Sequence, residues 1–357
     1  MNLKRLAKHA KNKSAFVDAR QKIFTGNKRS GNTYNEESYN MKYYFAPLEG
    51  VTGYIYRNAH QTFFGQIDKY FTPFISPTSN KDFTSRELND ILPEHNQGLH
   101  VVPQILANNA EYFIRTMKDL AKFGYDEINL NLGCPSGTVV AKHKGSGFLA
   151  QRERLDEFLE DIFSEAATKI SIKTRIGKNS PDEFYQLIEI FNKYPLEEII
   201  IHPRIQSDFY KNKPNMEVFK DALALSKNPV CYNGDIFSAK GYRELTEMYP
   251  SLGAVMLGRG LVANPALIGE IKNNYVIDKQ ILEEFHNEVY RGYQKILSGD
   301  RNILFKMKEF WFYMIHLFAE SDKYAKKIKK TDRLHDYEAV ISMLFQEQDI
   351  VETLLSL

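Results

Sequence analysis

The chain has little cysteine: Cys134 and Cys231 are the only two among 357 residues. Two thiols cannot form a disulfide framework, an all-cysteine zinc site or an iron–sulfur cluster. The expectation is therefore a soluble protein of a reducing compartment, the cytoplasm. Long apolar runs are missing as well. None reaches the roughly 18 residues of a membrane span, and no signal-peptide core is visible, so no membrane role is implied. The nine histidines show no His-Glu-x-x-His spacing, which argues against a dedicated metal site. A P-loop, a Gly-x-Ser-x-Gly elbow and a Gly-x-Gly-x-x-Gly fingerprint are equally absent. Gly145-Ser146-Gly147 lacks the third glycine and does not directly follow a strand. With 43% apolar residues the chain still has material for a large core, which excludes global disorder.

An overall excess of one charge is also lacking, since 47 Lys+Arg face 45 Asp+Glu. That balance conceals an asymmetry. Residues 1–42 carry ten Lys/Arg against three Asp/Glu, a local +7 that leaves −5 for the remainder of a chain at net +2. A basic arm on a mildly acidic body fits an anionic partner or a targeting tail as well as a plain solvated extension. The polar, turn-rich stretch 31–40 puts the end of this extension near residue 41.

From Lys42 onward, short β-rich apolar runs alternate with helical stretches. Eight such runs are visible: Tyr43–Leu48, Ile67–Phe74, Leu99–Leu106, Glu127–Leu132, Ile170–Ile176, Glu198–His202, Pro229–Asn233 and Ala254–Leu257. Between them the 3.6-residue period places Tyr112, Met117, Leu120 and Ala121 on one helix face, ended by Gly124. Leu155, Phe158, Leu159 and Ile162 form a second stripe, and Phe184, Leu187, Ile188 and Phe191 a third. Strands alternating with crossover helices make a parallel sheet covered on both faces. Eight repeats in about 220 residues suit a closed (β/α)8 TIM barrel, over residues 42–272, better than an open doubly wound sheet.

Beyond about residue 275 the strand pattern stops. Amphipathic stretches through Ile281–Ile296, Ile303–Glu320 and Tyr337–Leu355 predict a smaller all-helical domain over residues 273–357. It holds the basic segment Lys323, Lys326, Lys327, Lys329, Lys330 and Arg333, preceded by Phe310, Trp311, Phe312 and Tyr313. Such a run is commonly a solvated helix face. On a domain without a catalytic motif it is also a candidate binding surface.

In barrel enzymes the working residues lie at the C-terminal strand ends. Here those ends carry Glu49, Gln104, Asn131 with Cys134, Lys173 with Arg175, His202 with Arg204, Asn233-Gly234-Asp235, and Gly258-Arg259-Gly260. Polar residues at the end of almost every apolar run are expensive unless they converge on a ligand. The Gly-rich turns of the last two ends suit a phosphate, because glycines let backbone N–H groups approach an anion and Arg259 adds charge. Plain tight turns explain either one alone, but both together with Lys173 less well. Cys134 follows a strand end between Gly133 and Pro135. At an ordinary pKa of roughly 8.5 it is mostly a protonated thiol, competent as a general acid and a potential nucleophile. Cys231 sits inside the seventh run and reads as structural.

These residues resemble the tRNA-dihydrouridine synthase family. The resemblance is carried by Ala46-Pro47-Leu48-Glu49-Gly50-Val51-Thr52, by Asn131-Leu132-Gly133-Cys134-Pro135-Ser136 and by Lys142–Leu149 with its Gly-Ser-Gly. Ile172–Gly177, Ile201-His202-Pro203-Arg204, Asn233-Gly234-Asp235-Ile236 and Leu257-Gly258-Arg259-Gly260 follow in the family order. The similarity covers roughly residues 43–330, and the motifs are specific jointly rather than singly. It implies an FMN-containing barrel with a C-terminal helical domain, and NADPH-driven reduction of the uridine C5–C6 bond in tRNA. By the same resemblance Pro47, Leu48, Glu49, Gln104, Lys173, His202, Asn233, Gly234, Asp235, Gly258 and Arg259 would hold the flavin. Cys134 would be the proton donor to C5, and Asn131 would help position the uracil. Arg175, Arg204, Lys326, Lys327, Lys329 and Lys330 would contact the RNA.

Partners beyond tRNA and NADPH are not implied. Two features depart from the family pattern: the extension over residues 1–41, and the lack of a basic residue in Ser136-Gly137-Thr138-Val139. Two alternatives stay open at this point. One is a flavin barrel dehydrogenase acting on a free pyrimidine, which also has an Asn-x-x-Cys-Pro stretch but no need of a basic helical domain. The other is a non-catalytic tRNA binder on a retained barrel, which would need neither Cys134 nor the flavin contacts.

Overall fold

A computed structural model describes residues 41–80, 82–351 and 354 of the chain. The basic extension expected over residues 1–41 lies outside them but for Met41. Nine strands form one sheet: β1 Lys42–Phe45, β2 Lys69–Phe71, β3 Val101–Val102, β4 Gln104–Ile105, β5 Glu127–Leu132, β6 Lys169–Gly177, β7 Ile199–Ile205, β8 Val230–Tyr232 and β9 Ala254–Leu257. Every pairing is parallel, in the order β3-β2-β1-β9-β8-β7-β6-β5-β4. The two ends of that order, β3 and β4, are halves of one run separated only by Pro103, so the sheet curls into a nearly closed barrel.

The run Leu99–Leu106, expected as a single strand, is thus split in two. Proline has no N–H for the ladder, yet its carbonyl still accepts from the Asn129 N–H at 2.9 Å. An Ile75–Ile105 bridge helps to close the seam. Of the runs expected as strands, the second shrinks to three residues, while the sixth extends to Ile205.

Alternation along the strands separates two cores. Tyr44, Phe71, Val102, Ile200, Cys231 and Met256 point inward and cluster together. Their neighbours Tyr43, Phe45, Tyr70, Ile199 and Ile201 point outward and join the large core under the helices. The helix Arg152–Ser164 buries Leu155, Phe158, Leu159 and Ile162, and Glu183–Phe191 buries Phe184, Leu187, Ile188 and Phe191, the stripes expected. On Ala110–Lys122 the buried stripe is Phe113, Thr116, Met117 and Leu120 rather than one including Tyr112.

The inward polar residues of β5 are satisfied by a buried chain of hydrogen bonds. Lys69 donates to Glu127 at 2.6 Å, Ser171 donates to Glu127 at 2.7 Å, and Asn129 donates to Ser171 at 2.9 Å. Gln104 donates to Asn129 at 2.8 Å, and Asn131 donates to Gln104 at 2.7 Å. A fully connected network of this kind is rigid, because breaking any link strands a buried polar group.

The C-terminal region is helical: Lys279–Ile296, Asp300–Met314, Asp322–Lys330 and Leu334–Glu347. It shares the outer core of the barrel. Phe285 meets Tyr56 and Phe64 edge-on at 5.6 and 5.2 Å. Inside it, the Tyr337 hydroxyl accepts from the Trp311 indole at 2.8 Å and bonds His286 at 2.7 Å. Lys306 donates to the Gly50 carbonyl at 2.8 Å, tying the helix Asp300–Met314 to the loop after β1. Among the described residues no helix is long and apolar enough to cross a membrane.

Candidate active site

The C-terminal strand ends open into a cavity of about 300 Å³. Into it come Pro47, Leu48 and Glu49 after β1, Gln104 of β4, Asn131 and Cys134 at the end of β5, and Lys173 and Arg175 of β6. His202 of β7, Asn233, Gly234 and Asp235 after β8, and Gly258 and Arg259 after β9 complete the ring. Among the described residues no group of three or more His, Cys, Asp and Glu is placed to hold a metal ion.

Cys134 is held from both sides. Asn131 Oδ1 accepts from the N–H groups of Gly133 and Cys134 at 3.0 and 2.9 Å. The Cys134 carbonyl accepts from the Ser146 hydroxyl at 2.8 Å and its N–H at 3.1 Å. Gly145 makes this approach possible. Its φ is +54°, and a Cβ there would sit 2.8 Å from the Cys134 carbonyl oxygen. The thiol itself is half-buried. Burial pushes it up from its ordinary value, against the lowering influence of the Ser136 backbone and Arg175, so it is protonated at neutral pH. Cys231 is buried inside the barrel.

The Lys173 side chain makes no hydrogen bond or ion pair among the described residues, and burial, then Arg175, lower it from 10.5 to about 8. A cationic side chain without a partner in a cavity wall is suited to an anionic group. His202 is buried, and burial with the surrounding Arg175, Lys173, Arg204 and Arg259 holds it neutral. Its Nε2 lies 3.1 Å from Arg204 Nη1. A guanidinium can only donate, so the imidazole proton sits on Nδ1.

Within the wall, Asp235 bridges two arginines, Arg259 beside it in the lining and Arg204 behind. Arg204 forks onto it at 2.9 and 2.5 Å, and Arg259 reaches it at 2.5 Å. Arg204 also donates to the Asn212 carbonyl at 2.5 Å. It is 2% exposed and does not line the cavity. Arg175 does line it, but its three nitrogens donate to the carbonyls of Gly133, Ile205 and Phe209 at 3.1, 2.8 and 2.8 Å. Both arginines, expected to contact substrate, are thus engaged in holding loops. At the neighbouring turn a Cβ on Gly234 would overlap the Tyr232 hydroxyl. Lys326, Lys327, Lys329 and Lys330 are exposed on the helix Asp322–Lys330, outside the cavity.

Four lining residues escaped the sequence reading: Pro73 and Phe74 after β2, and Tyr210 and Tyr313. Tyr210 stacks near His202, with ring centroids 6.0 Å apart, and lies 4.2 Å under the Arg259 guanidinium. Tyr313 reaches in from the helix Asp300–Met314. For the two tyrosines the available signals were the adjacent aromatics Phe209-Tyr210 in a polar loop, and the aromatic cluster that contains Tyr313.

Comparison with known families settles what kind of protein this is. The dihydrouridine synthase (Dus) family matches residues 44–356. The chain belongs to the dihydrouridine synthase family. Among relatives of this dihydrouridine synthase family member, a probable tRNA-dihydrouridine synthase of Staphylococcus aureus is 26% identical over 272 residues, covering 70% of this chain and 77% of that protein. A probable tRNA-dihydrouridine synthase of Helicobacter pylori is 27% identical, covering 81% of this chain and 87% of the relative. In fold alone, the chain resembles histamine dehydrogenase from Rhizobium sp. 4-9, with a TM-score of 0.50 at 13% identity, covering 69% of this chain and 46% of that one.

Proposed function

We propose that this protein reduces the C5–C6 double bond of uridines in tRNA to 5,6-dihydrouridine, with FMN as its cofactor and NADPH as reductant. The observation that carries the reading is Cys134, a thiol kept protonated by burial and fixed by Asn131 and Ser146 at the mouth of the cavity.

The cavity suits a flavin mononucleotide in chemistry. It offers the apolar surface of Pro47 and Leu48, the unpartnered ammonium of Lys173 and the cation of Arg259 at a glycine turn. Gln104, His202, Asn233, Gly234, Asp235, Gly258 and Glu49 would complete the holding set. The chemistry a flavin supplies here when bound is hydride donation to C6 of the uracil. As C6 gains the hydride, negative charge builds on C5 and O4. Cys134 then transfers the Sγ proton to C5, which completes the saturation and leaves a thiolate to be reprotonated. General-acid help of this kind is typically worth 10²–10⁴-fold. Asn131 keeps the thiol at the right place, and Lys173 stabilises anionic charge in the wall.

A uridine stacked in folded RNA cannot enter this cavity, so the base must leave its stack at a cost of a few kcal/mol. In this reading residues 42–272 form the catalytic barrel and residues 273–357 the tRNA-binding part, acting in the cytoplasm. Phosphate contacts from Lys326, Lys327, Lys329 and Lys330 offset the unstacking, and recognition rests on shape and backbone. The test is to incubate the flavin-loaded protein with an unmodified tRNA transcript and NADPH, then digest the RNA to nucleosides for mass spectrometry. A uridine derivative heavier by two hydrogens, absent with Cys134→Ala, is expected. A transcript that returns unchanged overturns the reading.

A further inference from the structure

Beside the catalytic cavity lies a larger hollow of about 680 Å³, between the loop after β1 and the helices Asp300–Met314 and Asp322–Lys330. The two share Glu49 and Tyr313 as a common wall. Phe312 and Phe305 line the second hollow and are 69% and 61% exposed. Tyr313 meets the Phe312 ring edge-on, with centroids 5.0 Å apart. Two large rings left in water beside a site, on a helix that buries Phe310 and Trp311, mark a surface built for a partner.

The chemistry of the rim identifies the partner. Lys329 lines the groove, and Lys326, Lys327 and Lys330 are exposed on the same helix. Of that helix's lysines, Lys323 alone pairs with a carboxylate among the described residues, Glu347. On the opposite side Glu49 pairs with Arg86 and Glu309 with Lys306, and the one other lining acid, Asp322, is outnumbered by the lysines of its own helix. An aromatic floor with a cationic edge is complementary to a base and its phosphates, and not to an apolar protein segment.

We propose that this groove takes a second nucleobase of the RNA, unstacked beside the target uridine, with Phe312 as the platform it stacks on. The inference rests on the tRNA reading above. A strand that delivers one base into the barrel mouth loses stacking on both sides of that base. The shared Tyr313–Glu49 wall places an aromatic surface next to the mouth, where a neighbouring base regains the stacking it has lost.

Phe312 is exposed, so Phe312→Ala preserves the fold, and reduction of the bound flavin by NADPH serves as the control. On an unmodified tRNA transcript the variant should raise KM about tenfold or more, the scale of one stacked base, with kcat unchanged. Phe312→Tyr, which keeps the ring, should retain the original KM. An abasic nucleotide placed in turn at each position flanking the target should weaken wild-type binding at one of them and leave Phe312→Ala indifferent. An unchanged KM in Phe312→Ala overturns the proposal, as does a loss that no abasic position reproduces. A change from dimer to monomer in light scattering on Phe312→Ala would assign the face to a second copy of the chain and overturn it equally. Should the wild type leave the transcript unreduced, the tRNA reading itself fails, whereas an active wild type with an indifferent Phe312→Ala sinks only the groove.

Discussion

Asn131 and the backbone of Cys134 form one unit: Asn131 Oδ1 accepts from the Cys134 N–H at 2.9 Å, while its Nδ2 donates to Gln104 at 2.7 Å. The hydrogen-bond chain inside the barrel therefore ends on the residue proposed to deliver the proton. Asn131→Ala should lower the rate of uridine reduction about 10²-fold, the scale of a misplacement near 1 Å, while flavin content stays at the wild-type level. An equal fall in flavin content and rate would show instead that Asn131 serves the cofactor.

Cys134→Ala should reduce turnover on tRNA about 10²–10⁴-fold without slowing flavin reduction by NADPH. In the proposed reaction the acid form is the working form, and burial raises the thiol above its ordinary value. Activity is thus expected to hold through neutral pH and to fall only above the usual thiol range. A profile of single-turnover rate against pH, begun from prereduced protein, checks this. A decline already at neutral pH would contradict the protonated-thiol assignment.

Lys173 falls from 10.5 to about 8 on burial. Between those two values the unfolded chain binds a proton that the folded chain lacks, so the stability of the cofactor-free protein rises with pH through that window. Lys173→Met should abolish the rise, stabilise the cofactor-free protein at neutral pH and weaken its hold on FMN. Urea titrations at neutral pH and inside the window, paired with a flavin-binding titration, measure both. Identical pH slopes for the two proteins would contradict the buried, unpartnered ammonium.

The Asp235 carboxylate joins Arg204, whose side chain is 2% exposed, to Arg259. The Asp235 side chain is itself 28% exposed, so removing it should cost between the roughly 1 kcal/mol of an exposed pair and the roughly 3–5 kcal/mol of a fully buried one. Asp235→Ala should therefore lose stability within that range in denaturant unfolding, with Asp235→Asn losing less. A loss below about 1 kcal/mol, typical of exposed pairs, would mean that Arg204 finds other compensation.

Much of this architecture was legible from the residues. Apolar runs alternating with amphipathic stretches carry the barrel, because each strand must be apolar outward and each helix apolar along one stripe. The polar strand ends Asn131, Lys173, His202 and Asn233 do converge on one cavity. What escaped depends on where a side chain folds back. Arg175 and Arg204 stand at strand ends like substrate contacts, yet their nitrogens are taken up by carbonyls and by Asp235. Spacing along a strand does not encode that choice. Tyr210 and Tyr313 come from an irregular loop and from an appended helix, neither of which has a register relative to the barrel until the chain is folded. The run Leu99–Leu106 was read as one strand, and its split at Pro103 follows from the missing proline N–H.

The most direct measurement is anaerobic. The flavin-loaded protein is reduced with NADPH, mixed with unmodified tRNA or with free uridine, and flavin reoxidation is followed by visible absorbance. Rapid reoxidation by tRNA, lost in Cys134→Ala and absent with free uridine, is the predicted result. Reoxidation by the free pyrimidine but not by tRNA would contradict the account, and so would a purified protein that cannot be loaded with flavin at all.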